Sequence, residues 1–431
     1  MTSRHITRLV SGLLVASLSL AACKSGGGHG GNAQGPGAGT TTTVPIATGG
    51  GPALTGTPIV IGTLEDQTGG SRSSPLTEGV DTVDAWVRWT NAHGGILGHP
   101  VILVWANDAS DPAQAERALQ TFVGQDHIVA LVGQDAPATE PTWDRFMQDA
   151  GVPVIGGTAY TTAWFTDPMF YPTTTTVLST TWGLTYSAEQ AGATEQAVLT
   201  CDDRPDCGAS VPLIRTAAKQ QDVQLTYVDS ASTAASSYAS QCEAMKASGA
   251  GAVVATVDVP QLATDCAEQG YHPLLVGSGA SIPISDLETT PELDNVVGVS
   301  GAFPWWQQGP QTADFFQAMR QYAPEYLPGG SKRDQTSIVA PAAWSGGVVF
   351  ANAVKNAAVS PGAIVTRADV IRGLSLIQGS TNGGYTPPVS YGNGKTPAKQ
   401  VACFWLYHVE NAQYVSTNGL QMSCEPASDL G

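Results

Sequence analysis

From Pro58 onward the chain alternates between two hydrophobic rhythms. Short apolar runs bounded by glycine, such as Pro58-Ile59-Val60-Ile61-Gly62, read as buried strands. Between them lie longer segments whose apolar residues recur at helical spacing. Val80, Val83, Ala85, Trp86 and Val87 mark the first, a helix opened by Pro75, running to Ala92 and stopped by Gly94-Gly95. A strand at 101–105 follows, then a helix capped by Asp111 with Pro112 in its first turn. Strands at 128–132 and 152–155 flank a helix at 142–150. The alternation then restarts, with strands at 197–200, 223–228, 252–257 and 274–276 and helices at 211–220, 238–248 and 261–269. Strands alternating with helices imply parallel sheets built from right-handed crossovers. Two such series in succession predict an α/β chain of two doubly wound, Rossmann-like lobes. Ligands in open α/β sheets sit beyond the carboxyl ends of the strands, so the cleft between the lobes is the expected binding site.

The chain before Pro58 follows neither rhythm. Arg4 and Arg8 precede an apolar stretch at 9–20 that ends in Ala21-Ala22-Cys23. This is the layout of a secretory signal peptide over 1–22, too short for a membrane span. A cysteine at the cut resembles the lipobox of bacterial lipoproteins, in which that residue becomes the lipidated first residue; Cys23 is the expected lipid anchor. An ordinary signal peptide with an incidental cysteine is the other reading. Residues 23–57 are dominated by Gly, Thr, Ser, Ala and Pro, a composition that cannot bury enough apolar surface to stay ordered. They predict a disordered tether of roughly 30 Å. Gly26, Gly28 and Gly31 fit a dinucleotide-binding spacing, but no strand precedes them and no helix follows.

Composition narrows the function. About 370 residues follow the tether, too many for one core and suited to two lobes. With 13% charged residues and a net charge of −17, the chain lacks the basic surface that nucleic acid requires. Cys201, Cys207, Cys242, Cys266, Cys403 and Cys424 read as disulfides in an exported chain, and proximity favours Cys201–Cys207, Cys242–Cys266 and Cys403–Cys424. Zinc is disfavoured, because no C-x-x-C pair occurs and the histidines are scattered. Catalytic motifs are weak. Gly392-Asn393-Gly394-Lys395-Thr396 ends like a phosphate loop, but Val389 stands where its first glycine belongs. Trp344-Ser345-Gly346 lacks the leading glycine of a nucleophile elbow. No enzyme, cofactor or metal is expected.

An ordered series of strings is similar to the type I periplasmic binding proteins, in particular the branched-chain amino-acid branch that serves ABC transporters. It comprises Ile59-Val60-Ile61-Gly62-Thr63-Leu64 with Thr68-Gly69, then Asn91-Ala92-His93-Gly94-Gly95-Ile96-Leu97-Gly98-His99-Pro100-Val101. Asn107-Asp108, Asp111-Pro112, Val129-Ala130-Leu131-Val132-Gly133 and Gly151-Val152-Pro153-Val154-Ile155 continue it. Ala252-Val253-Val254 and Leu275-Val276-Gly277-Ser278-Gly279 extend it into the second series. The resemblance implies a Venus flytrap with three crossovers near 179, 303 and 383. One lobe would comprise 58–178 with 304–382, the other 179–303 with 383–431. It implies a monomeric extracytoplasmic protein, held at the membrane by lipid, that closes on a small polar solute and hands it to an ABC transporter permease. Two other readings stand: a sensor lipoprotein acting with a membrane receptor, and a hydrolase whose residues are scattered in sequence.

Carried across position by position, the resemblance places the first-lobe lining at Glu65, Asp66 and Gln67, at Gln134, Asp135, Ala136 and Pro137, and at Thr158, Ala159 and Tyr160. The second lobe contributes Asp206, Asp258, Ser278 and Gly279, with Trp305 beside the second crossover. Members that bind amino acids place a serine after the Val-Gly strand end, and alanine and threonine in the next loop, to hold the ligand carboxylate. Here the first position reads Asp135-Ala136-Pro137, and Asp135 would repel a carboxylate. An aromatic expected in the second lobe is replaced by Asp202-Asp203-Arg204-Pro205-Asp206. Such an acidic lining suits a cationic, polyol or amide ligand at least as well as an amino acid. Glu65, Asp135 and Asp258 read equally as helix caps, Asp202 and Asp203 as a solvated turn, and Trp305 as packing.

Overall fold

The computed structural model describes residues 42–44, 54–67, 76–203 and 205–429, with the side chains at 43–44 and 205–209 excluded. The expected signal peptide, Cys23, most of the tether, Thr68-Gly69, Pro75 and the side chains of Asp206 and Cys207 lie outside the described residues. The first series forms β1 (Thr42–Val44), β2 (Ile59–Glu65), α1 (Glu78–Ala92), β3 (Val101–Asn107), α2 (Pro112–Gly124) and β4 (Ala130–Gln134). It continues through α3 (Glu140–Ala150), β5 (Val154–Gly157), α4 (Ala163–Thr166) and β6 (Phe170–Tyr171). The sheet order is β1-β3-β2-β4-β5-β6, parallel except for β1. Buried Ile61, Leu103, Leu131 and Val154 explain why these strands read as unbroken apolar runs: helices cover both faces. Asp111 caps α2 as its sequence predicts, its carboxylate accepting from the Ala113 N–H at 2.8 Å.

β1 lies inside the segment expected to be a slack tether and departs from that expectation. Thr42 to Val44 pair antiparallel with Trp105 to Leu103 of β3, closing an otherwise open sheet edge with β-branched residues.

The second series forms α5 (Val177–Gln190), β7 (Glu195–Cys201), α6 (Pro205–Gln220), β8 (Gln224–Ala231), α7 (Ala239–Ala247) and β9 (Ala252–Ala255). It continues through α8 (Val259–Glu268), β10 (Leu274–Ser278), α9 (Ile284–Thr289) and β11 (Val296–Ser300). The chain then returns to the first sheet for α10 (Ala313–Tyr322), α11 (Val339–Asn356) and α12 (Arg367–Leu374). It ends in the second sheet as β12 (Cys403–Glu410), β13 (Gln413–Ser416) and β14 (Ser423–Cys424). That sheet runs β13-β12-β11-β10-β9-β7-β8, with β14 on β12; β7 to β11 are parallel, and β12 and β13 are antiparallel. One face packs on α5 and α6 through Trp182, Leu184 and Ile214, the other on α7 and α8, which the Cys242–Cys266 disulfide joins. Cys403–Cys424 joins β12 to β14. Cys201 is also disulfide-bonded.

The chain passes between the sheets three times, and Thr175 and Thr176 bind the passages together. The Thr175 N–H donates to the Gly301 carbonyl at 3.0 Å, its hydroxyl to the Cys403 carbonyl at 2.5 Å, and the Thr176 N–H to the Val401 carbonyl at 3.1 Å. The third passage does not run through Gly383-Gly384, as the resemblance implied, but follows Tyr391. Asn352 of α11 donates to Asn382 and Ser345 to the Tyr385 carbonyl, holding that stretch on the first lobe until Tyr391 donates to Pro172. Among the described residues no helix is long and apolar enough to cross a membrane.

Candidate binding cleft

The carboxyl ends of the first sheet gather carboxylates. Glu65 closes β2 and is 3% exposed. Its Oε1 accepts from Thr63 Oγ1 at 3.2 Å, and its backbone bridges to Asp135, just beyond β4. The carboxylate lies so close to the first turn of α1 that a Cβ on Gly79 would sit 2.3 Å from Oε2. Burial holds the Glu65 carboxyl well above its usual range, and Asp135 raises it further. Asp135 is half-buried and accepts from Thr158 Oγ1 at 2.6 Å; burial pushes its carboxyl up to about 6 despite that bond. Asp108, after β3, accepts from Thr139 Oγ1 at 2.5 Å, and burial lifts it to about 6 as well. Glu78 opens α1 and reaches the start of α11, accepting from the Ser337 N–H at 2.7 Å, the Ser337 hydroxyl at 2.7 Å and the Ala340 N–H at 3.0 Å. Burial takes Glu78 up to about 7 against those three bonds.

Beneath these groups lies a buried scaffold. Gln134 accepts from the Ala136 N–H at 2.8 Å and donates to Glu140 at 2.7 Å; Glu140 also accepts from Trp164 Nε1 at 3.2 Å and from the Thr161 hydroxyl. Burial pushes Glu140 up to about 8. Glu140 thus fastens the loop after β4 to the loop after β5. Of the expected lining residues, Gln134, Ala136, Thr158 and Ala159 are buried in this scaffold, with the Ala159 N–H donating to Thr174 Oγ1 at 3.2 Å. Tyr160 is 41% exposed and within electrostatic reach of Tyr407 on β12 of the opposite sheet.

The second lobe is less uniform. Ser278 ends β10 with its hydroxyl buried and unpaired among the described residues. Gly279 faces α11, where a Cβ would lie 3.0 Å from Ile338 Cγ2. Asp258 is exposed and caps α8, accepting from the Gln261 N–H at 3.0 Å. Asp203 is exposed and braces a neighbouring loop, accepting from Ser232 Oγ and from the N–H and hydroxyl of Thr233. Trp305 is 9% exposed and packs on Trp306 and Tyr414, lining a different cavity. Among the described residues, no three or more His, Cys, Asp or Glu side chains converge as metal ligands.

Sequence reasoning missed Glu78, Glu140 and a rim around Lys332. Lys332 Nζ donates to Asp81 and to Thr77 Oγ1, both at 2.9 Å, and lies 5.0 Å from the Tyr326 ring centre. The neighbouring Arg333 clasps Glu288 of α9 with two bonds of 2.9 and 2.6 Å, and Asp334 accepts from the Ser285 N–H at 2.9 Å. The Lys332 contacts stay within the first lobe, whereas those of Arg333 and Asp334 join it to α9 of the second. Acids at helix starts were the available signal for Glu78 and Glu140; nothing local marks Lys332 or Arg333.

Comparison with known proteins agrees with this architecture. A substrate-binding periplasmic protein from Ralstonia solanacearum is 19% identical and superimposes with a TM-score of 0.64 over 85% of this chain and 100% of its own. A leucine-binding protein from Thermotoga maritima is 12% identical, with a TM-score of 0.65 over 86% and 99%. An ABC-transporter solute-binding protein from Rhodopseudomonas palustris, solved with p-hydroxybenzoic acid, is 16% identical, with a TM-score of 0.65 over 85% and 97%. At these identities the likeness establishes the fold, two α/β lobes of the periplasmic-binding-protein type. No curated protein is significantly similar in sequence. The model of the periplasmic binding protein family, however, matches residues 58–413, and the chain belongs to that family.

Proposed function

We propose that this chain is the solute-binding subunit of an ABC importer, held outside the cytoplasm by lipid on Cys23, and that it captures a small polar solute rich in hydrogen-bond donors. Proteins of similar fold include a leucine-binding protein and a solute-binding protein solved with p-hydroxybenzoic acid, and those ligands belong to those proteins. One observation favours a different ligand class here. Among the described residues, the Thr158 and Thr139 hydroxyls of the first lobe are already committed, to Asp135 and Asp108, which leaves the half-buried Asp135 carboxylate as an acceptor at the strand ends. An ammonium about 4 Å from an ionised Asp135 gains on the order of 4 kcal/mol, and a carboxylate there loses as much. Cationic, amide or polyol solutes fit this lining; capture needs only lobe closure and no chemical step.

A thermal-shift screen of amino acids, amides, polyamines and polyols tests the reading, since saturating ligand at a hundred times its Kd adds about 2.7 kcal/mol. For a cationic ligand, affinity rises as pH climbs through about 6, where Asp135 ionises, and falls roughly ten-fold per unit below it. Asp135→Asn flattens that profile. A screen in which only carboxylates lacking a cation shift the protein would sink the proposal. Cys23→Ala should release a ligand-competent protein from the membrane fraction.

A further inference from the structure

We propose that a second cavity, apart from the strand ends, binds a neutral aromatic solute carrying one polar substituent. The cavity has a volume of about 390 Å³, and its walls include Trp305, Trp306, Phe315, Phe316, Tyr326 and Tyr414. That volume falls in the lower part of the range of small-molecule sites. The rings already meet one another at angles that a further ring can join. Trp305 and Tyr414 lie edge to face at 5.6 Å, Trp305 and Trp306 at 5.7 Å, and Phe315 and Phe316 at 5.1 Å. Planar rings prefer such edge-on or offset packing at centre separations of about 4.5–7 Å, so a planar guest gains more here than an aliphatic one.

Charge selects against ions. The charged side chains on the wall are Arg333 and Glu288, and they neutralise each other through the two-bond clasp. An ionic guest would have to break that clasp to find a counter-charge. Gln308, Asn411 and Gln413 supply amides that can pair with a hydroxyl or carboxamide substituent. The walls also come from both lobes: Phe315 and Phe316 from α10 on the first, Glu288 from α9 and Tyr414 from β13 on the second. A guest therefore touches both lobes at once and favours their present arrangement. Glu65, Asp135 and Thr158 do not line this cavity, so its guest and the ligand proposed for the cleft touch different residues.

The test titrates the full chain with indole, phenol and benzyl alcohol, set against benzoate, benzylamine and cyclohexanol, by calorimetry and tryptophan fluorescence. Saturable binding of the three neutral aromatics is expected, with the others weaker by about ten-fold or more. Ile284→Phe fills the cavity from its partly exposed wall, and Trp306→Ala removes a half-buried ring; each should weaken indole binding by about ten-fold or more. Asp135→Asn should leave indole affinity within about two-fold. Absence of saturable indole binding, benzoate binding as tightly as phenol, or unchanged affinity in both cavity variants overturns the proposal.

Discussion

Glu140→Gln is the sharpest test of the scaffold under the cleft. Glu140 is fully buried, and its carboxyl is raised from an ordinary 4.5 to about 8. A difference of one pH unit in pKa is worth about 1.4 kcal/mol, so keeping this carboxylate ionised in the folded protein costs on the order of 5 kcal/mol. Between pH 4.5 and 8 the folded state retains a proton that the unfolded chain has released. Stability from this group is therefore greatest at low pH and is lost as pH rises across that window. From pH 5 to pH 8 the loss amounts to about 3.5 kcal/mol. Glutamine keeps the shape and never ionises, and its amide can accept from Trp164 or Gln134 and donate to Thr161. The variant should match the parent within about 1 kcal/mol at pH 5 and exceed it by about 3 kcal/mol at pH 8. Glu78 and Asp135 shift in the same direction but are present in both proteins, so the difference isolates Glu140. Urea unfolding at the two pH values, with equal m-values, measures it. Parallel pH profiles for parent and variant would refute the reasoning.

Three further perturbations probe other contacts. Gly79→Ala puts a Cβ 2.3 Å from the Glu65 carboxylate and should cost about 1–3 kcal/mol, most of it recovered when Glu65→Ala is added; a raised Tm in the single variant would show that the two groups are not in contact. Arg333→Ala removes the clasp on Glu288; because both groups are partly exposed the stability change stays below about 1 kcal/mol, but single-molecule FRET between the lobes should show a larger open population, and an unchanged distribution would refute the latch. Replacing Cys242 and Cys266 by alanine opens a cross-link of sequence separation 24 and should cost about 3.5 kcal/mol in urea, with a loss under about 1 kcal/mol counting against a structural role.

The periodic part of the fold was legible because parallel strands covered on both faces carry no alternation to obscure them. Ile59 to Gly62 and Ala252 to Val254 declare themselves as apolar runs, and Asp111-Pro112 marks a helix start through local chemistry alone. The runs stop short where function begins. β2 extends past Gly62 to Glu65, and α3 begins at Glu140 rather than Thr142, because the polar groups ending these elements are satisfied by distant partners. Glu78 and Ser337 are 259 residues apart, and no spacing rule connects them. Asp258 was legible twice over, as a cleft acid and as a cap, and the Asp258-Val259-Pro260 order with a bond to Gln261 shows it serving as a cap.

Glu65 and Asp135 share the same strand-end setting but not the same partners. Their raised pKa values arise chiefly from burial beside other acids, which is an unfavourable arrangement for folding alone. A capping role would place each carboxylate where local donors lower its pKa, as happens at the half-buried Asp111, lowered first by the Gln114 side chain and then by the Ala113 N–H. Glu78 makes such helix-start bonds and is still raised by burial, so bonding alone does not identify a relaxed site. What sets Asp135 apart is that it is half-open to solvent with, among the described residues, a single side-chain donor, Thr158, while carboxylates crowd behind it. Under the proposed function, a cation or amide arriving at that face supplies further donors to Asp135. For the proposed cationic ligand, ionisation of these acids favours binding while it disfavours folding, so binding and stability should respond to pH with opposite signs across the same interval.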